Sequence, residues 1–533
     1  MTGHDTTEGA IHQMLREKLR LDVPADAAQR HALVTLALIV IIAAFYVSTI
    51  RPGHTWGDDY ALYALHAKSL IEGNGYVQTE YIHNPLYADI GPKAYPPILP
   101  ITLAVVYKWV GFDLTVMKIV VCAFFFSTLY ILYLFYRTQL PWPYSSGLIL
   151  LFGLNPVFWG FKEEIYADFP FVFFVWTTLY GLKKHYDDSE EQQYAPGTPY
   201  AIVVGICMYL AYGTRTIGIV LPASLALFEL LRFKKLSGFA ATVLLTVGSL
   251  VALQAALLSD GSGGYLSLLT EQRSKAIAEI VLENIVVYLK DIPTYWDNGY
   301  SKPAKVALFM IVSLLATVGF LRRVKDGITI QEVFLFLYLC VLAAFPYPTH
   351  RYVYPVIPIY FFYAYRGALE VGGFSAGRWR HVPLALTALI VVSYSFKYAA
   401  VDYGPIREGI EKKESKELFQ HLIVNSQAND VIIFRKPRAL ALLTGRRSSI
   451  YPKPSHHDDA SLDEKAWTYF RDIHARYLVI GATAWVRNPV RMEDIEWERH
   501  FVERYKDRCE QVFSNADFQV YALKYPSKDC NLC

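Results

Sequence analysis

Apolar runs of membrane-spanning length recur along this chain with only short polar turns between them, and few architectures are open to such a sequence. The first run, residues 31–50 (HALVTLALIVIIAAFYVSTI), follows a polar stretch at 1–30. Others lie near 97–110, 115–136, 144–161, 168–182, 199–213, 216–231, 238–258, 304–321, 330–347, 352–365 and 382–400. A helix needs about 20 apolar residues to cross the hydrocarbon. Only helices and closed barrels satisfy their backbone groups there. With 53% of its 533 residues hydrophobic and 19% charged, the chain reads as a polytopic α-helical membrane protein and not a soluble one. Residues 1–30 lack the basic, apolar and small-residue pattern of a cleaved signal. They read as a cytoplasmic amino-terminal segment, and 31–50 as a retained span. The net charge of +3 gives no reason to expect nucleic acid as a partner.

Positive charge supplies the orientation, because cytoplasmic loops are enriched in Lys and Arg. Basic clusters stand at Arg16, Lys18 and Arg20, at Arg137, at 183–185 (KKH), 232–235 (RFKK), 322–325 (RRVK), and from Arg366 through 377–381 (GRWRH). If every run crossed, several clusters would fall on opposite sides. The run 97–110, following Pro96 and Pro97, is too short to span comfortably and reads as an interfacial or re-entrant helix. Eleven spans then remain, and every basic cluster faces the cytoplasm. The first loop 51–114, the turn KEEIYAD, Thr214–Arg215, the loop 259–303, the segment PTHRY and everything beyond 401 face outward. Residues 401–533 alternate β-like runs (DVIIFRK, RYLVIG, DFQVYALKY) with helical stretches (SKELFQHLIVNS, DEKAWTYFRDIHA) and read as an outward α/β domain. No internal repeat is evident. Cys509, Cys530 and Cys533 leave a disulfide open if this domain lies outside the cytoplasm. SHHDDAS at 455–461 reads as a polar loop.

The outward segments collect ionisable groups at the membrane lip. Residues 59–72 have helical spacing, ended by Gly73, and Asp58 suits the N-cap. One cap uses one carboxylate, so Asp59 needs another reason. Glu163, Glu164 and Asp168 occupy a turn too short to leave the surface, where ionisable groups are solvated, paired or used. A solvated turn with Asp168 capping the following helix is the plain alternative. Lys93, Arg215 and Arg351 join the same face; snorkelling explains any one of them, but the positive-inside bias disfavours all three. Together the set suits a lipid-linked phosphosugar. Cations hold its phosphate, and a carboxylate takes the proton from an attacking hydroxyl.

The order of motifs, GDDYALYALHAKSL, KAYPPILPITLAVVYKWVG, PVFWGFKEEIYADFPFVFF, TRTIGIVLP and RYVYPVIPIYFF with an outward α/β tail, resembles the integral-membrane GT-C glycosyltransferases. It resembles especially the branch that holds the protein O-mannosyltransferases and the lipid A aminoarabinose transferase. The resemblance covers roughly 30–400 and implies a polyprenyl-phosphate sugar donor. It also implies a lipid, glycan or protein acceptor and an active site on the outer side of the cell inner membrane. Residues 31–400 would be the transmembrane catalytic module and 401–533 a periplasmic domain. The resemblance places the acidic motif at Asp58 and Asp59, and the second acid at Asp168, with Glu164 or Glu163 a weaker fit. Lys93 lies near the lysine that precedes the paired prolines in relatives, displaced by Ala94 and Tyr95. Arg351 matches an arginine common to the group, and Arg215, His350 and Tyr352 are taken with it as substrate-binding. Oligosaccharyltransferase relatives use a divalent metal, so a metal is left open here. The alternatives are a transporter or lipid-linked glycan flippase, which would carry charge near mid-membrane and often show inverted repeats, and a sensor built on the tail. Reporter fusions after residue 250 and at the carboxyl terminus are expected to report opposite sides of the membrane; agreement between them would overturn this topology.

Overall fold

The computed structural model describes residues 25–87, 90–190, 197–258, 277–297, 302–345, 347–371, 381–406, 408–453, 460–481 and 492–525. Among these, six helices are long and apolar enough to cross a membrane: Asp26–Ser48, Leu114–Tyr136, Thr216–Phe233, Gly238–Leu258, Lys302–Asp326 and Val382–Ala399. Their outer faces are bare and apolar, with Leu245, Leu257 and Leu314 each two-thirds or more exposed. A continuous surface of that kind is stable only against hydrocarbon. The protein is a multi-pass membrane protein.

Two of the expected spans are not single straight helices. The run 144–161 is broken into Trp142–Gly153 and Pro156–Phe161. At the break, Asn155 accepts the Val157 N–H at 3.0 Å and donates to the Tyr295 carbonyl at 2.9 Å. Pro156 lacks a donor, which the first turn tolerates, so the chain restarts there as a short second helix. The run 352–365 begins as a 3₁₀ turn, His350–Val356, and continues as the helix Ile357–Val371. The run 97–110 forms the 13-residue helix Ile98–Val110, stopped by Gly111 at φ 81°. At 1.5 Å per residue it reaches about 20 Å, short of the roughly 30 Å hydrocarbon. It packs along the helix Asp58–Ile71.

Two buried lysines sit near helix ends and are paired. Lys118, in the first turns of Leu114–Tyr136, has no exposed side-chain surface. Its Nζ donates to the carbonyls of Arg51 and Gly53 and to Glu163 Oε2, each at 2.8 Å. Lys162 donates to the other Glu163 oxygen at 2.7 Å. This knot pins the first loop to the turn 162–167. Elsewhere two helices meet backbone to backbone. A Cβ on Gly367 would lie 1.8 Å from the Leu315 carbonyl oxygen, and one on Gly319 2.0 Å from that of Tyr363. Lys302–Asp326 and Ile357–Val371 can approach so closely only through these glycines.

The tail builds a five-stranded sheet in the order β2-β1-β3-β5-β4, from β1 (Val431–Ile433), β2 (Arg447–Ser449), β3 (Ala475–Gly481), β4 (Cys509–Ser514) and β5 (Phe518–Leu523). Strand β1 runs parallel to β2 and β3, whereas β5 is antiparallel to β3 and β4. Helices Lys413–Asn425, Pro437–Thr444, Ala460–Asp472 and Met492–Arg504 accompany it. The first loop docks on the β2 edge. Ile82 N–H donates to Ser448 O at 2.8 Å, and Ser448 N–H to Glu80 O at 2.9 Å. Trp56 packs among Phe419, Phe434 and Phe518. Loop and tail therefore share one core. Cys509 is a buried free thiol; Cys530, Cys533 and most of SHHDDAS lie outside the described residues.

Gly367→Val would force backbone apart at the tightest helix crossing, and overpacking of this kind costs typically about 1–3 kcal/mol. A clear fall in melting temperature in detergent is expected, while Gly248→Ala, which meets open space, should leave it unchanged.

Candidate active site

The helix Asp58–Ile71 starts after Gly57, which makes no side-chain cap. Asp58 does not cap its own helix, contrary to the reading from sequence: both acids lie in the first turn, where the helix dipole favours anions. Asp58 Oδ1 instead accepts the N–H of Ala439 at 3.2 Å, in the first turn of Pro437–Thr444. That helix opens on Lys436, which supplies no cap, and on Pro437, which has no N–H. Asp58 satisfies one of its orphan donors from across the domain boundary.

Beside this contact, Arg438 is wholly buried, with Nε 3.8 Å from Asp58 Oδ2 and Nη1 3.8 Å from Asp59 Oδ1. Arg438 Nη1 donates to the Tyr95 hydroxyl at 3.1 Å and Nη2 to the Pro92 carbonyl at 3.1 Å. Tyr95 in turn donates to Asp59 Oδ1 at 2.8 Å. On the other side, Arg351 reaches Asp59 Oδ2 at 3.4 Å through Nη2 and Asp168 Oδ2 at 3.5 Å through Nη1. Asp168 Oδ1 pairs closely with Arg215. The two guanidiniums lie over aromatic faces, Arg351 at 4.6 Å from the Tyr166 ring and Arg215 at 4.6 Å from that of Tyr352. Asp59 (32% exposed) and Arg351 (22%) remain open, whereas Asp168 is 3% exposed.

The environment drives the two adjacent acids apart. Burial raises the Asp58 carboxyl, offset only in part by Arg438, Lys436 and the Ala439 amide. Burial also pushes Asp59 up, but Arg351, Arg438 and the Tyr95 hydrogen bond outweigh it and hold Asp59 below the usual carboxylate range. Asp59 is thus held toward its ionised form and is the more reachable member of the pair.

Glu163 and Glu164 part ways. Glu163 is taken up by Lys118 and Lys162 and accepts the Arg51 N–H, which ties the first loop to the turn. Glu164 Oε2 faces His54 Nε2 at 3.6 Å. Burial raises the Glu164 carboxyl and lowers the His54 imidazole to about 4. His350 has an exposed side chain, and its carbonyl accepts from Tyr295 at 2.9 Å. Lys93 is half-buried, two residues before Tyr95. Among the described residues, no group of three or more His, Cys, Asp or Glu could hold a metal ion. The carboxylates that converge do so on arginine, not on a shared vacancy, so the donor set does not fit a divalent metal.

Sequence reading missed Arg438, Tyr95 and Lys118. One signal was present for Arg438: a cation in the first turn of a helix opposes the dipole and calls for an acid from elsewhere.

No family model matches the sequence, and no curated protein matches it. Solved structures do. ArnT from Cupriavidus metallidurans bound to undecaprenyl phosphate aligns over 92% of this chain and 97% of its own, at 10% identity and a TM-score of 0.55. The archaeal oligosaccharyltransferase AglB from Archaeoglobus fulgidus, in complex with an inhibitory peptide and a dolichol-phosphate, aligns over 84% of this chain and 69% of its own, at 12% identity and a TM-score of 0.53. A complex of the Archaeoglobus fulgidus oligosaccharyltransferase with Zn and sulfate aligns over 83% and 68%, at 13% identity and a TM-score of 0.52. The chain has the GT-C glycosyltransferase fold. On that GT-C frame the acid pair, the 162–168 turn, Arg215 and Arg351 lie at one end of the bundle, under the tail domain.

Asp58→Ala removes the oxygen that caps Pro437–Thr444, a loss worth about 1 kcal/mol, whereas Asp58→Asn keeps an acceptor there. Thermal denaturation of the purified full chain should rank wild type and Asp58→Asn above Asp58→Ala; equal stability of all three would deny the cap.

Proposed function

We propose that the protein is an inverting glycosyltransferase that moves a sugar from a polyprenyl-phosphate carrier to a hydroxyl of a lipid, glycan or protein acceptor, on the outer face of the cytoplasmic membrane. The observation that carries this reading is the bridge in which Arg351 joins Asp59 to Asp168. It sets an ionised, partly exposed carboxylate beside guanidiniums at the end of an apolar bundle. The fold shared with proteins solved with undecaprenyl phosphate and dolichol-phosphate supports the carrier class. The distribution of basic clusters supports the outward orientation.

In this reading Asp59 accepts the proton of the acceptor hydroxyl. The acceptor oxygen bonds to the anomeric carbon as the carbon–oxygen bond to phosphate breaks, and the electron pair leaves with the phosphate. The products are the glycosylated acceptor and polyprenyl phosphate, and Asp59 returns its proton to water. Arg351 and Arg215 face the charge that grows on the leaving phosphate, with Lys93 on the approach segment. Arg351 is shared by two acids at 3.4 and 3.5 Å, so an arriving phosphate adds a third anion to a fork already aligned. A transporter or flippase would carry charge at mid-span, but Lys118, Glu229 and Glu332 all lie near helix ends.

The test is transfer from a panel of radiolabelled undecaprenyl-phosphate sugars by the purified protein in lipid nanodiscs, with envelope extract as acceptor and release of undecaprenyl phosphate as a second readout. Asp59→Asn should lower transfer by about 10²–10⁴-fold while undecaprenyl phosphate still binds. Near-wild-type transfer by that variant would remove Asp59 as base. Carrier translocation in proteoliposomes without any transfer would favour the flippase.

A further inference from the structure

The tail domain does more than cover the site. Arg438 has no exposed side-chain surface and belongs to the tail, yet its hydrogen-bond and ion-pair partners lie in the first loop and the acid helix. It donates to Tyr95, which donates to Asp59, and it lies 3.8 Å from an oxygen of each acid. Its guanidinium stands over Tyr81 and Tyr95, at 4.9 and 5.3 Å from the ring centroids. Tyr81 itself bridges to Ser448 in β2. The guanidinium is held by one hydrogen bond from each Nη, to Tyr95 and to Pro92. The Tyr95 hydroxyl accepts from Arg438 and so has its own hydrogen left for Asp59, which fixes the direction of the relay.

We infer that Arg438 is a positioning residue of the transfer reaction: from the tail domain, and through Tyr95, it orients the Asp59 carboxylate, so that the site is complete only while the tail is docked on the first loop. This rests on Asp59 as the base. Arg351 would fix Asp59 from one side and Arg438 with Tyr95 from the other, leaving the carboxylate its exposed edge for the acceptor. A merely structural arginine would hold the domains together and leave the behaviour of Asp59 untouched.

The groups facing Asp59 are Arg351 from the segment before Ile357–Val371, Tyr95, Arg438 and Lys436 from the tail, Asp58 on its own helix, and Glu164 and Tyr166 from the turn. Arg438 and the Tyr95 hydroxyl both favour the ionised form. Without them Asp59 should hold its proton to higher pH. Opposite charges at such range move a carboxyl by about one unit or more.

The experiment is the carboxylate titration of Asp59 in the full chain, followed by infrared difference spectra against Asp59→Asn. It reads Asp59 whether or not any sugar is transferred, so its failure is distinct from failure of the transferase reading. Arg438→Met should move the titration upward by about one pH unit, and Arg438→Lys by less. Tyr95→Phe keeps the ring and the Arg438–Pro92 hydrogen bond and should move it the same way. If Arg438→Met does not fold, Tyr95→Phe decides alone. An unmoved titration in Tyr95→Phe, or in a folded Arg438→Met, overturns the inference.

Discussion

A guanidinium shared between two carboxylates fixes how this bundle closes at its polar end. Arg351 lies 292 residues from Asp59 and 183 from Asp168, and no local preference of the chain brings the three together. Burying any of them alone would be costly, because an ion taken from water loses several kcal/mol of solvation unless partners replace it. The segment before Ile357–Val371, the acid helix and the start of Asp168–Glu190 therefore need one another. Arg215 compensates the second oxygen of Asp168, and the more buried of these two acids thus has two cations while Asp59 keeps an open edge.

Neighbouring acids of the same type serve different ends here because of depth and partners. Glu163 lies between two lysines and a backbone N–H, a fully paired knot that tethers loop to turn. One residue on, Glu164 faces a buried histidine and takes no part in that knot. Asp58 has a backbone donor and a distant arginine, with burial the dominant influence. Asp59 has arginines on both sides and a phenol, and it stays ionised. The proposed reaction needs the last arrangement, because its base must be charged, aimed and wet at once.

The apolar helices were legible because hydrophobicity is a property of segments, and the paired acids were legible because charge is conspicuous beside apolar runs. The break at Asn155–Pro156 was not, since the apolar run continues through it and only the side chain of Asn155 reveals where the backbone turns. Strands β2 and β4 escaped notice for a similar reason: β2 is three residues long and the solvent face of β4 is mostly polar. The role of Asp58 needed the third dimension, because its partner helix lies 381 residues away. Arg438 offered a faint signal in its unfavourable place at a helix start, but nothing in the sequence could say which acid would answer it.

The aromatic planes complete the electrostatic argument. Arg351 rests on Tyr166 and Arg215 on Tyr352, and a guanidinium stacked on a ring keeps its in-plane N–H groups for oxygen ligands. Its side-chain freedom is already spent on the ring and the carboxylates. A phosphate meeting such forks encounters donors that need little rearrangement, and that is the condition under which fixed charges stabilise a developing anion better than water does. The acids that hold the arginines in place thus serve twice in the proposed reaction, by orienting the cations before the sugar leaves and, in the case of Asp59, by taking the proton as it does.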